Sequence, residues 1–265
     1  MNPIKLSIVG GAGRLGTAII EEMHEDFELL GILESSSYPH VGKTLRDAGL
    51  SNEDVPIYGS DSFSDVFKNS DVVLSATNPE AELVNAQIAV DAKTKLIIGT
   101  TGFTSSQYNQ LKSILHGKIP CIITSNFSIG MNFVFKILES LDRLPSNYET
   151  SIFEIHHSQK IDAPSGTALT LGKIISNSKK YNEIISDRKS SGKRKPNELE
   201  IVSHRIGGVP GIHEINIAGP NEMIKIEHTV FSRKAFANGA LLAAKWLHSK
   251  TESKIYEMSD VLSGN

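Results

Sequence analysis

Ile8-Val9-Gly10-Gly11-Ala12-Gly13-Arg14-Leu15-Gly16 joins an apolar run, Lys5 to Val9, to a helical pattern from Arg14 to about Met23. Gly11, Gly13 and Gly16 fit G-x-G-x-x-G, and Gly10, Gly13 and Gly16 fit the related G-x-x-G-x-x-G. Glycine is needed at such a junction for a tight turn, for close backbone approach to a pyrophosphate, and for close helix-strand packing. The exposed N–H groups and the positive end of the helix then face the phosphates, and Arg14 adds a charge. Alone the match is weak. Here Glu34 follows at the end of a second apolar run, Glu28 to Leu33, at the spacing of about 20 residues expected of a ribose-binding acid.

Further apolar runs at Asp71 to Ser75, Leu96 to Gly99 and Cys121 to Thr124 alternate with helical patterns at Glu80 to Asp91 and Ser105 to Leu115. That alternation predicts an α/β fold, a Rossmann-type parallel sheet covered on both faces. Two turns follow strands of this sheet at the ends where open sheets bind ligands: Gly99-Thr100-Thr101-Gly102 and Thr124-Ser125-Asn126-Phe127. The stretch from Ser35 to Ser60 is broken by Pro39, Gly42, Gly49 and Pro56, and reads as a long cofactor-side loop.

Past Asn126 the rhythm changes. A helix over Gly130 to Leu144, a strand over Ser151 to His157, a helix over Thr167 to Ser176, and strands at Glu198 to Arg205, His213 to Ala218 and Glu222 to Val230 predict a second, α+β domain with a mixed sheet. A last helix, Lys234 to His248 with Trp246, is expected to return to the first domain. The division predicted is 1–127 plus 239–265 for the nucleotide and 128–238 for substrate binding and oligomerisation.

With 39% hydrophobic residues in 265, the chain can build a substantial core, and a net charge of −3 points to neither nucleic acid nor an anionic membrane. No stretch approaches the roughly 18 apolar residues of a membrane helix, and the N-terminus lacks a signal-peptide layout. Cys121 is the lone cysteine and reads as a core residue in a reducing, cytoplasmic setting. The basic cluster Arg188 to Lys195, rich in Ser and Gly, reads as a solvated loop.

Chemistry is concentrated in Glu154-Ile155-His156-His157-Ser158-Gln159-Lys160-Ile161-Asp162-Ala163-Pro164-Ser165-Gly166-Thr167-Ala168-Leu169. Adjacent histidines at a strand end point to opposite sides, so they do not share a metal face, and no metal is expected. Pro164 to Thr167 reads as a helix start whose N–H groups and hydroxyls form a cradle for a carboxylate. A histidine, a lysine and such a cradle suit an acidic substrate that exchanges protons during reduction.

On this segment, together with Val9 to Gly16, Gly99 to Phe103, Ser125 to Gly130, and Ser232-Arg233 with Phe236 to Ala240, the chain resembles the 4-hydroxy-tetrahydrodipicolinate (dihydrodipicolinate) reductase family. The resemblance spans nearly the whole chain. It implies NAD(P)H-dependent reduction of a small dicarboxylate, with loss of water, in the diaminopimelate route to lysine, by a homotetramer. It implies NADH or NADPH contact at Gly10, Gly11, Ala12, Gly13, Arg14, Leu15, Glu34, Gly99, Thr100, Thr101, Thr124, Ser125, Asn126 and Phe127. It also implies catalysis by His156 and Lys160, with substrate held by His157, Ser165, Gly166 and Thr167. Ser35 and Asn78 stand where arginines are familiar in the family, which puts NADPH preference in question. The other readings are a different Rossmann-fold reductase of a small amino or keto acid, or a non-catalytic nucleotide sensor.

Overall fold

The computed structural model describes residues 2–186 and 192–263. It begins with β1 (Ile4–Val9), α1 (Arg14–Glu21), β2 (Phe27–Leu33), β3 (Ile57–Tyr58), α2 (Phe63–Asn69), β4 (Val72–Ser75), α3 (Pro79–Ala92), β5 (Lys95–Ile98), α4 (Ser105–Leu115) and β6 (Cys121–Ile123). Then follow α5 (Ile129–Leu138), β7 (Glu149–His156), α6 (Gly166–Lys179), β8 (Glu183–Ser186), β9 (Glu198–Arg205), β10 (Gly211–Ala218) and β11 (Met223–Val230). The described chain finishes with α7 (Lys234–His248), β12 (Ile255–Tyr256) and α8 (Met258–Leu262). Two units result, Met1–Phe127 with Phe236–Asn265, and Ser128–Ala235, so the first unit resumes at Phe236 rather than at Gly239.

In the first unit, strands order β12-β6-β5-β4-β1-β2-β3 in a seven-stranded sheet. All of its pairings are parallel. Alternation along each strand feeds two cores. Ile4, Leu6 and Ile8 of β1 pack with Ala18 and Ile19 of α1 and with Ala240, Leu241 and Leu247 of α7. Val9, Val73, Leu96 and Ile98 pack with Phe67, Ala86 and Leu111 from α2, α3 and α4. The expected return of the last helix is therefore seen as burial of its alanine-rich face. Cys121 is fully buried, and burial pushes its thiol up to about 12.

Residues 35–60, read from the sequence as a long cofactor-side loop, fold back onto the first unit. Leu45 is fully buried, its N–H donates to Val55 O at 2.8 Å, and the Ile57 N–H donates to Lys43 O at 2.8 Å. The segment thus brings β3 to the sheet edge, a strand too short to show a period.

In the second unit the order is β11-β10-β7-β9-β8. β10 pairs antiparallel with β11 and β7, while β7–β9 and β8–β9 are parallel, so the sheet is mixed. Met131, Val134 and Leu138 of α5 and Ala168, Leu171 and Ile175 of α6 cover one face, over Ile152, Ile201, Ile215 and Ile217. The helix expected over Gly130 to Leu144 stops at Leu138 and tightens into a 3-10 turn over Glu139–Arg143 before Pro145. Of the basic cluster, 188–191 lie outside the described residues. Arg194 pairs with Glu149 at 2.7 Å and Lys195 with Glu198 at 3.4 Å, so both serve the fold. Among the described residues no helix is long and apolar enough to cross a membrane.

Candidate active site

The glycine loop is shaped by contacts that exclude a Cβ. Gly10 has φ +77°, and a Cβ there would stand 2.4 Å from Ala76 O, in the turn after β4. A Cβ on Gly16 would stand 2.4 Å from Gly11 O, so the first turn of α1 lies directly against the loop. Gly13 caps α1 in extended conformation, and Gly13 and Arg14 are exposed at its N-terminus. Glu34, just beyond β2, accepts the Ala12 N–H at 2.8 Å, which joins the two parts of the predicted nucleotide site. Burial raises the Glu34 pKa, partly offset by that bond.

The other predicted nucleotide residues gather at neighbouring strand ends. Gly99 stands against Phe127, whose ring would meet a Cβ at 2.5 Å. Thr124 closes its own turn, donating to Asn126 O at 2.9 Å and accepting the Asn126 N–H at 3.2 Å. Thr101 and Ser125 are exposed. The Thr100 hydroxyl, in contrast, is turned inward: it accepts the Thr77 N–H at 2.8 Å and donates to Glu82. Together the glycine cradle, the strand-end acid and the open turns fit a dinucleotide.

In the second unit, β7 sends Ile152, Glu154 and His156 to its buried face, while His157 follows the strand end, half-buried. Glu154 is fully buried. Its Oε1 accepts the Ser165 N–H at 3.0 Å and Arg205 Nη2 at 3.1 Å. Its Oε2 lies 3.5 Å from His156 Nδ1 and 3.5 Å from His213 Nε2. Burial would raise the carboxyl, but His213 and Ser165 beside it hold it well below the usual carboxylate range. Burial depresses His156; Glu154 opposes this, and the nearby His213, Lys160 and Arg205 assist it, so its pKa falls to about 4 and the imidazole is neutral near pH 7.

Lys160 reaches Asp162 Oδ1 at 2.7 Å. Burial works to raise the Asp162 pKa, but Lys160 and the Gly166 backbone N–H lower it on balance. The Ser165 hydroxyl caps α6, accepting the Ala168 N–H at 3.1 Å, and lies 3.2 Å from His213 Nε2. It is therefore engaged inside the fold, while Gly166 and Thr167 remain half-buried at the helix start.

Glu154, His156 and His213 offer ligand atoms within 4.8 Å of one another, a grouping that would interest a metal ion. Arg205 on the same carboxylate, and the cations that depress His156, oppose a divalent charge there. We read the cluster as a polar support for His156. The sequence reading passed over Glu154, Asp162, Arg205 and His213 as site residues. His213 had a signal, since it stands in alternation with the inward Ile215 and Ile217 and pairs in register with Glu154. Arg205 likewise pairs with His156 across β7 and β9. A surface cleft of about 530 Å³ beside Tyr108, Lys112, His116 and Glu257 is lined by none of these residues.

A Rossmann unit with a glycine loop and strand-end acid, joined to a unit carrying a histidine-lysine site, defines a nicotinamide-nucleotide-dependent oxidoreductase. Family models for dihydrodipicolinate reductase match the chain at residues 4–127 (N-terminus) and 130–262 (C-terminus). The chain belongs to the dihydrodipicolinate reductase family. It is 36% identical to the 4-hydroxy-tetrahydrodipicolinate reductase of Neisseria meningitidis, over 100% of this chain and 99% of the relative. Identity is 35% to that of Methanococcus aeolicus, over 99% of both. Among solved structures, the dipicolinate-bound dihydrodipicolinate reductase from Paenisporosarcina sp. TG-14 has the same fold, with TM-score 0.73 and 22% identity over 96% of this chain and 97% of that one. An amine dehydrogenase from Mycobacterium smegmatis shares the fold at TM-score 0.66 and 10% identity, over 95% and 94%.

Proposed function

We propose that this chain reduces 4-hydroxy-tetrahydrodipicolinate to tetrahydrodipicolinate in lysine biosynthesis, with His156 and Lys160 as the catalytic residues and NADH used at least as well as NADPH. The observation that carries the reading is the buried His156, with Glu154 3.5 Å from its Nδ1, on the strand that leads into the Lys160–Asp162 pair and the start of α6. The first unit, 1–127 with 236–265, holds the nucleotide, and the second, 128–235, holds the substrate.

Bound nicotinamide supplies a hydride to the unsaturated ring formed when the hydroxyl leaves as water. The remaining work belongs to the protein. Gly166, Thr167 and His157 orient one carboxylate, and positioning of this kind is worth roughly 7–11 kcal/mol. Lys160 leaves Asp162 to pair with the dianion. The arriving negative charge raises the His156 pKa, so the imidazole takes up a proton and delivers it to the enamine carbon, general acid work of about 10²–10⁴-fold.

The test uses synthase-generated substrate and the absorbance of the reduced nicotinamide. Lys160→Ala is expected to lower kcat strongly with NADH affinity intact; lost NADH affinity with kcat preserved would overturn the assignment. For the cofactor, Glu34 accepts bonds from a ribose 2′-hydroxyl and repels a 2′-phosphate, and exposed Ser35 brings no charge to offset that. Ser35→Arg should shift kcat/KM toward NADPH by about tenfold, roughly 1.4 kcal/mol. A wild-type preference for NADPH of that size would instead implicate His40 and Lys43.

A cytoplasmic setting suits the free thiol of Cys121. A homotetramer is supported by the sheet face opposite α5 and α6, where Phe153, Ile155, Val202 and Ile212 stand partly exposed.

A further inference from the structure

Glu82 is a carboxylate with no contact to solvent, on the inner face of α3 beside Asn85, Ala86 and Ala89. Its Oε2 accepts three hydroxyl bonds: from Ser75 at the end of β4 at 2.9 Å, from Thr77 at 3.2 Å, and from Thr100 after β5. Thr100 in turn accepts the Thr77 N–H at 2.8 Å, and Asn85 Nδ2 donates to Ser75 Oγ at 3.3 Å. Oε1 is buried with no partner. A leucine would fill such a position without the desolvation that a buried carboxylate costs. What the carboxylate adds is a tie between two turns that leave adjacent parallel strands. One of those turns also carries Ala76, whose carbonyl lies against Gly10.

We propose that Glu82 is a positioning residue for the nucleotide. It clamps the turns after β4 and β5 onto the glycine loop, so that the backbone of Gly99 to Thr101 is set in place before the cofactor arrives. The Thr100 hydroxyl is spent on this clamp, and Thr100 serves the cofactor through its main chain. The inference rests on the nucleotide-site reading above and names a residue that the glycine motif does not include.

The experiment measures NADH dissociation by nicotinamide fluorescence, kcat at saturating NADH, and thermal midpoint, in Glu82→Leu, Glu82→Gln, Thr100→Val, Thr100→Ser and Gly13→Val. Glu82→Leu and Thr100→Val should each weaken NADH binding by about tenfold, with kcat at saturation changed far less. Glu82→Gln, whose amide oxygen can take the same three donors, and Thr100→Ser should restore most of the affinity. A variant that combines Glu82→Leu with Thr100→Val should bind NADH no more weakly than the weaker-binding of the two singles, because both cut one network. If Glu82→Leu does not fold, Thr100→Val reads the same link from its other end. Unchanged NADH affinity in the folded variants, alongside lost binding in Gly13→Val, overturns the clamp alone. Retained NADH binding in Gly13→Val overturns the site reading and the clamp with it.

Discussion

His156 is buried beside Glu154, with His213, Lys160 and Arg205 nearby, and burial above all leaves its ring uncharged. Its pKa falls from 6.5 to about 4 in the folded protein, with burial as the largest cause. Between those pH values the unfolded chain binds a proton that the folded chain does not. The stability this contributes is complete above about pH 6.5 and is lost as the pH falls toward 4. Glu154, held below its ordinary 4.5, has the same sign and acts at still lower pH. The thermal midpoint should therefore drop through that window, and His156→Asn should flatten the drop. An equally steep profile in the variant would show that His156 is not the group titrating.

Helix α6 illustrates how one element serves both fold and site. Ser165 caps it, receives the Ala168 N–H, touches His213 and gives its own N–H to Glu154. Ser165→Ala should cost about 1–2 kcal/mol in urea unfolding, while Ser165→Thr should stay within a few tenths. If the substrate KM rises in Ser165→Ala with no loss of stability, the hydroxyl faces substrate and not the fold. The strands of the parallel sheet were legible because β1, β4 and β5 are buried on both faces and read as apolar runs. β3 and β12 are two residues each, too short for a period to show. Glu82 and Glu154 were hidden for another reason. An inward charge looks like an outward one until its partners are known, and those partners arrive from other elements, as His213 does through β10. The motif residues of the site could be read from one segment, whereas His213 and Arg205, which also bear on the charge of His156, arrive from other strands.

At the scale of the molecule, the second unit leaves one face of its mixed sheet without a helix among the described residues. Val202 of β9 is partly exposed there, in register with the partly exposed Phe153 of β7. In a symmetric assembly each copy repeats a substitution, so a single charge is introduced several times over. Val202→Glu is expected to lower the mass seen by light scattering, with NADH binding by the first unit retained. An unchanged mass would place the interface elsewhere.

The pairing of Lys160 with Asp162 at 2.7 Å also bears on turnover. Before substrate arrives the lysine already has a counter-ion, one that also faces the Gly166 N–H. On the proposed role of Lys160, capture of a dicarboxylate there would be an ion exchange, one carboxylate leaving the lysine as another takes it. Exchange weakens the grip on substrate, and a partly exposed pair of this kind is worth only about 0.2–1 kcal/mol. The product keeps both carboxylates and would otherwise be held as tightly as the substrate. Asp162, tethered two residues from the lysine, would be on hand to reclaim it and so would hasten the product's departure.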